Sequence, residues 1–282
     1  MLLRFTKMHG LGNDFVVLDL ISQNITIRED QIKTLADRRL GVGFDQLLIA
    51  EPPDDPNTDF KYRIYNADGA EVEQCGNGAR CFLRFVRDRG LTTKTQIKIG
   101  TNTGVIEAKL EADGNITIDM GEPILEPKRI PFLSNKPRIV YPLDVELPVC
   151  GTTQQIELTA VSMGNPHGVI LVDDVDQAPV KQLGPALERH ELFPQRANIG
   201  FMQVLSRKEV RLRVFERGVG ETKACGTGAC AAMVAGRLRG LLDDEVEVHL
   251  TGGTLNLRWA GDGHPVMMTG PACRVYEGRL HI

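Results

Sequence analysis

Two stretches decide how this chain is read: Cys75-Gly-Asn-Gly-Ala-Arg-Cys81 and Cys225-Gly-Thr-Gly-Ala-Cys-Ala231. They stand 150 residues apart, and each joins a cysteine to a Gly-x-Gly turn and the opening of a helix. At the same offset, Tyr65-Asn66 reads against Phe215-Glu216, where a strand runs into a Gly-rich turn before the cysteine. Downstream, residues 95–100 and 245–250 alternate in polarity, and Asp113-Gly114 and Asp262-Gly263 are hairpin-turn dipeptides. Far upstream, Gly12-Asn13-Asp14-Phe15 reads against Gly164-Asn165-Pro166-His167. A match this long, in one order, is an internal repeat. It predicts two similar lobes related by a pseudo-two-fold axis, with Cys75 and Cys225 in equivalent positions across a cleft.

Each half reads as strands, one helix after the cysteine, then a meander, which makes the chain α+β. In the first of these helices Phe82, Phe85 and Val86 fall on one face and Arg80, Arg84 and Arg87 on another, with Gly90 as the stop. The second carries no charge over residues 229–235 and reads as buried on nearly all sides. A further helix is predicted over residues 28–39, with a counterpart over 180–190. A Pro-rich stretch over residues 123–148 carries the crossing between lobes, and the tail from Arg274 reads as an extra strand returning to the first lobe. The expected domains are residues 1–121 with 271–282, and residues 122–270.

Composition narrows the function. Of 282 residues, 42% are hydrophobic and 25% charged, enough apolar surface for a large core. Lys plus Arg number 33 against 37 Asp plus Glu, and no basic block stands out, so no nucleic-acid partner is expected. No run approaches the roughly 20 apolar residues that cross a bilayer. The first residues lack the apolar core of an export signal, so a cytoplasmic location with reduced thiols is expected.

Six cysteines are present, and none is paired in a Cys-x-x-Cys spacing. A cysteine before Gly-x-Gly at a helix start meets free backbone N–H groups and the positive end of the dipole. That predicts a thiol pKa lowered toward the thiolate, beside a cradle for a carboxylate. Two such thiols in symmetric lobes suggest that one removes a proton from a carbon acid and the other returns one from the opposite face. Cys81, Cys150, Cys230 and Cys273 read as packing residues.

These motifs, with His9-Gly-Leu-Gly-Asn-Asp-Phe15, Asn66-Ala-Asp-Gly69, Gly164-Asn-Pro-His167 and Phe215-Glu-Arg-Gly-Val-Gly-Glu221, resemble the diaminopimelate epimerase family over essentially the whole chain. The resemblance implies two lobes, each a strand-rich, barrel-like sheet wrapped around a central helix, with the active site in the cleft between them. It implies interconversion of LL- and meso-2,6-diaminopimelate in lysine and cell-wall precursor biosynthesis, without pyridoxal phosphate, other cofactor or metal. It makes Cys75 and Cys225 the acid/base pair. The backbone at Gly76-Asn77 and Gly226-Thr227 would hold the reacting carboxylate. Asn13 and Gln46 would line the reacting centre, and Asn66, Asn165, Asn198 and Arg217 would hold the distal amino-acid end. Glu216 and His167 would tune the thiols and orient the amino groups. Tyr276 would be a dimer contact of a homodimer.

Two other readings compete. A proline or hydroxyproline racemase shares the two-cysteine logic, but its first loop usually reads Cys-Gly-His-Gly where this chain has Asn77. Its substrate would also leave Arg217 and three asparagines without a distal partner. A non-catalytic amino-acid-binding protein has no need of both thiols.

Overall fold

The computed structural model describes residues 2–72, 75–147 and 151–281. The chain divides into two compact units, Met1–Asp119 with Thr269–Ile282, and Met120–Met268.

In the first unit β1 (Leu2–Gly10) and β2 (Asn13–Asp19) form an antiparallel hairpin. The chain crosses through α1 (Glu29–Ala36), so that β3 (Gln46–Glu51) lies parallel to β2. β4 (Phe60–Asn66) and β5 (Glu71–Val72) continue antiparallel. After α2 (Gly76–Asp88), β6 (Gln96–Thr101) lies parallel to β4, and β7 (Gly104–Leu110) and β8 (Ile116–Asp119) meander away. The sheet wraps α2, which packs on β1, β2, β3, β7 and β8.

The second unit repeats the plan. β9 (Tyr141–Leu147) and β10 (Thr152–Ser162) are antiparallel, as are β10 and β11 (Pro166–Leu171). α3 (Val180–Glu188) crosses to β12 (Asn198–Ser206), parallel to β11. β13 (Glu209–Glu216) and β14 (Gly220–Thr222) lead to α4 (Gly226–Leu238). β15 (Glu245–Leu250) then lies parallel to β13, and β16 (Gly253–Trp259) and β17 (Val266–Gly270) follow. Last comes β18 (Cys273–His281), which belongs to the first unit and pairs antiparallel with β1. β18 stands to β1 as β9 stands to β10, so each unit closes with a flanking strand drawn from a different place in the chain.

The two central helices match in detail. Each spans 13 residues and starts on a cysteine N-cap in extended backbone. Each ends in the same C-cap motif. Gly90 and Gly240 turn the chain at φ +69° and +72°, where a side chain would be strained. The next N–H groups, of Leu91 and Leu241, return to the Val86 and Gly236 carbonyls, each at 2.9 Å. α4 is buried along Gly228 to Gly236, the stretch that carries no charge, and its one cation, Arg237, stands in the last turn.

Three sequence expectations change. α1 ends at Ala36, because the Asp37 carboxylate accepts the Arg39 and Leu40 N–H groups, both at 2.7 Å, and turns the chain out. Arg80 does not share a solvated face with Arg84 and Arg87. It has no exposed surface, because the sheet encloses the first turns of α2 on every side. Cys273 is exposed at the start of β18 rather than packed, whereas Cys81 and Cys230 are fully buried on α2 and α4. Cys150 lies outside the described residues. No helix among the described residues is long and apolar enough to cross a membrane.

Candidate active site

Strand register gathers the first half-site. Phe15 on β2 is opposite Gln46, and Gln46 is opposite Asn66, so Asn13, Gln46 and Asn66 lie at one end of three adjacent strands. Gln46 Nε2 donates to Asn66 Oδ1 at 3.0 Å. Cys75 sits beside them because β5 delivers the chain to the start of α2, where the Gly78 N–H donates to its sulfur at 3.4 Å. Asn13 Oδ1 accepts from Asn77 Nδ2 at 3.3 Å and from the Cys75 thiol at 3.8 Å. Asn13 is itself anchored, its Nδ2 donating to Asp45 at 3.0 Å.

The same registers build the second half-site. His167 on β11 is opposite Asn198 on β12, and Asn198 precedes Ile199, which faces Phe215 on β13. Asn165 and His167 are bonded at 3.0 Å. The amide oxygen can only accept, so the imidazole donates from Nε2. Asn198 Oδ1 accepts the Arg217 N–H at 2.8 Å, which fixes the turn that presents Arg217. Glu216 accepts from the Thr222 hydroxyl, and Thr227 Oγ1 stands 3.6 Å from the Cys225 sulfur. By offset, Asn13 corresponds to Asn165, Gln46 to Asn198, Asn66 to Glu216 and Asn77 to Thr227. Tyr276 is on β18, packed edge-on against Phe5 with ring centroids 6.0 Å apart.

Electrostatics depart from the helix-dipole expectation. Cys225 is 5% exposed, and burial pushes its thiol well above the ordinary range. The Glu216 carboxylate adds to the shift, while Thr227 and the Gly228 N–H oppose it without reversing it. Desolvation of a thiolate outweighs one helix end here. Burial likewise pushes the His167 imidazole down to about 3, helped by the Arg217 charge, so it is neutral at physiological pH.

Several residues in this machinery were not singled out from sequence. Glu188 is 2% exposed and accepts the Gly218 N–H at 2.8 Å, so it braces the turn after Arg217. Asp14 accepts from Lys7 and Arg38, next to Asn13. Burial alone would raise its carboxyl, but those two cations hold it well below the usual carboxylate range. Tyr62 lies buried beneath Gly78, and among the described residues its hydroxyl has no hydrogen-bond partner. Glu188 gives no sequence signal. The repeat does flag position 80, because it aligns Arg80 with Cys230, an apolar position. Among the described residues no group of three or more His, Cys, Asp or Glu is placed to hold a metal ion.

The family model for diaminopimelate epimerase matches residues 5–126 and 159–275, which takes in both cysteine turns and all of the residues above except Tyr276. The chain belongs to the diaminopimelate epimerase family. Among its relatives is the diaminopimelate epimerase of Ectopseudomonas mendocina (strain ymp), 59% identical over 282 residues and covering all of both chains. That of Pseudomonas aeruginosa (strain UCBPP-PA14) is 58% identical, again over the full length of both. Among solved structures, a hydroxyproline epimerase from Agrobacterium vitis superposes with a TM-score of 0.71, covering 99% of this chain and 92% of that one. At 15% identity that likeness is one of fold. The family thus shares its two-lobe α+β architecture with proteins of other substrates.

Proposed function

We propose that this protein interconverts LL- and meso-2,6-diaminopimelate, with Cys75 and Cys225 as the two bases. The observation that carries the reading is the duplicated cysteine N-cap, two thiols held on the same backbone at the starts of matched helices, in a member of this family.

In the proposed reaction one thiolate takes the proton from the substrate's α-carbon. The C–H bond breaks, an S–H bond forms, and the electron pair is left on the carbon and its carboxylate. The other thiol then gives its proton to the opposite face, forming a new C–H bond and leaving a thiolate. Cys225, kept protonated by its burial, is the donor in the direction in which Cys75 accepts. The reverse direction exchanges the roles. N–H groups at the starts of α2 and α4, with Asn77 and Thr227, are suited to the charge that develops on the reacting carboxylate. Arg217 offers a planar two-pronged donor for the distal carboxylate, and Asn66, Asn165 and Asn198 offer amides for the distal ammonium and carboxylate. The reading calls on no cofactor.

With it goes a homodimer through the face of β18. There Tyr276 on β18 and, beside it, Leu40 are 45% and 87% exposed, an apolar surface that suits a second copy of the chain. A cytoplasmic location fits such a biosynthetic step.

The test is incubation with LL-diaminopimelate in deuterated water. Meso product carrying deuterium at the inverted carbon is expected. Recovery of LL substrate without inversion would sink the proposal, and inversion of hydroxyproline instead would favour the racemase reading.

A further inference from the structure

Arg80 is among the largest side chains in the molecule with no exposed surface. Burying a guanidinium is costly unless its hydrogens find partners. The fold does not demand a cation there. At the equivalent point of α4 stands Cys230, equally buried, and α4 packs with no charge along that stretch. What Arg80 does must therefore be sought in its contacts.

Those contacts lead to the first half-site. Arg80 Nη2 donates to Asn77 Oδ1 at 2.9 Å, and Nε donates to the Pro271 carbonyl at 3.2 Å, just ahead of β18. A carboxamide has two ends of nearly equal shape, so its orientation is set by its partners. With Asn77 Oδ1 taken by Arg80, its NH2 faces the other way, to Asn13 Oδ1 at 3.3 Å. Asn13 Oδ1 is also the acceptor facing the Cys75 thiol at 3.8 Å. A Cβ at position 10 would stand 3.2 Å from Arg80 Nη2 and 3.3 Å from the Asn77 carbonyl, so glycine there leaves room for the arrangement.

We propose that Arg80 is the positioning residue of the first half-site: it locks the Asn77 carboxamide with its NH2 toward Asn13, whose Oδ1 faces the Cys75 thiol, and ties that geometry to the backbone just ahead of the strand that closes the unit. The second half-site has no such lock, since Thr227 replaces Asn77 and a hydroxyl needs no orienting partner. The proposal rests on the roles given above to Cys75 and Asn77.

A double-mutant cycle on the full-length enzyme tests it, using Arg80→Lys, Asn77→Ala and the pair, with LL-diaminopimelate as substrate. Arg80→Lys keeps a cation but loses the planar fork. It is expected to lower kcat at least about tenfold while KM shifts less than about threefold, because the distal grip is untouched. Asn77→Ala is expected to lower kcat as well, and adding Arg80→Lys to it to cost less than a further threefold or so. Losses that multiply overturn the proposal, as does a lowered thermal midpoint with unchanged kcat per folded enzyme. Cys75→Ala is run alongside. If it retains turnover, the reading of the site fails; if it is inactive while the cycle multiplies, only the role of Arg80 fails. A measurement on the wild type needs no variant to fold: the Arg80 Nε–H should exchange slowly with solvent, and exchange at the rate of free arginine overturns the proposal.

Discussion

The Tyr62 hydroxyl occupies the space that a Cβ on Gly78 would need. Gly78 is the second glycine of the first cysteine turn, so a tyrosine on β4 dictates how bare that turn must be. In the second turn a Cβ on Gly228 would meet softer neighbours, Val214 Cγ2 at 3.1 Å and Cys225 Sγ at 3.2 Å. Gly78→Ala is therefore expected to destabilise the protein by about 1–3 kcal/mol, more than Gly228→Ala. Tyr62→Phe removes a buried hydroxyl that has no partner among the described residues and should stabilise by about 1 kcal/mol. It should also recover part of the Gly78→Ala loss, and urea unfolding of the four proteins checks this. Equal penalties at the two glycines would contradict the prediction.

Cys75→Ala and Cys225→Ala are each expected to abolish epimerisation, and the serine variants to retain only a trace, since a hydroxyl is a far weaker base. Chiral analysis of the product measures this. Because burial keeps Cys225 a thiol, its alkylation by iodoacetamide should be slow at neutral pH and quicken as the pH rises. Rapid labelling of Cys225 at pH 7 would contradict that.

His167 titrates at about 3 in the folded protein, against an ordinary value of 6.5. Well above pH 6.5 neither state binds the proton and the group is silent. As the pH falls from there toward 3, the unfolded chain takes up a proton that the folded one refuses, so stability is lost. Between pH 7 and 5.5 the wild type should lose about 1 kcal/mol more than His167→Gln. Parallel pH dependence of the two unfolding free energies would show that the imidazole is not shielded as described.

Arg217 is proposed to hold the distal carboxylate, away from the bond that breaks. Arg217→Lys keeps the charge and loses the fork, so KM should rise about 10- to 100-fold with a smaller change in kcat. A kcat loss at unchanged KM would move Arg217 toward the reacting centre.

Tyr276→Asp puts a charge on the exposed apolar face of β18. Sedimentation should show the wild type as a dimer and the variant shifted to monomer at micromolar concentration. A monomeric wild type would remove the dimer proposal.

The internal repeat was legible because the two halves kept their Gly-x-Gly turns, and from it followed the matched helices and the paired half-site residues. Register did the rest: once Gln46 faces Asn66 and His167 faces Asn198, residues far apart in sequence share one end of a sheet. Burial and local charge were not legible. The i, i+4, i+7 spacing of Arg80, Arg84 and Arg87 reads as a polar stripe, yet the sheet wraps only the N-terminal turns of α2 and takes in Arg80 alone. The direction of the Cys225 shift was missed for a related reason. Motif spacing reveals the helix end that lowers a thiol pKa, but not the burial and the neighbouring Glu216 carboxylate that raise it. α1 is shorter than the 28–39 expected because a single aspartate turn at Asp37 ends the helix ahead of Gly41.

The pairing of β18 with β1 reverses the order in which the two halves can be finished on a ribosome. The second unit is contiguous and ends at Met268, inside β17. The first unit, synthesised earlier, must wait with β1 open along one edge until the last residues emerge. An open strand edge is a template for pairing with other chains. Translation that stops short of residue 269 therefore leaves the older half of the molecule unfinished, and the chain's final residues govern how its first ones are protected.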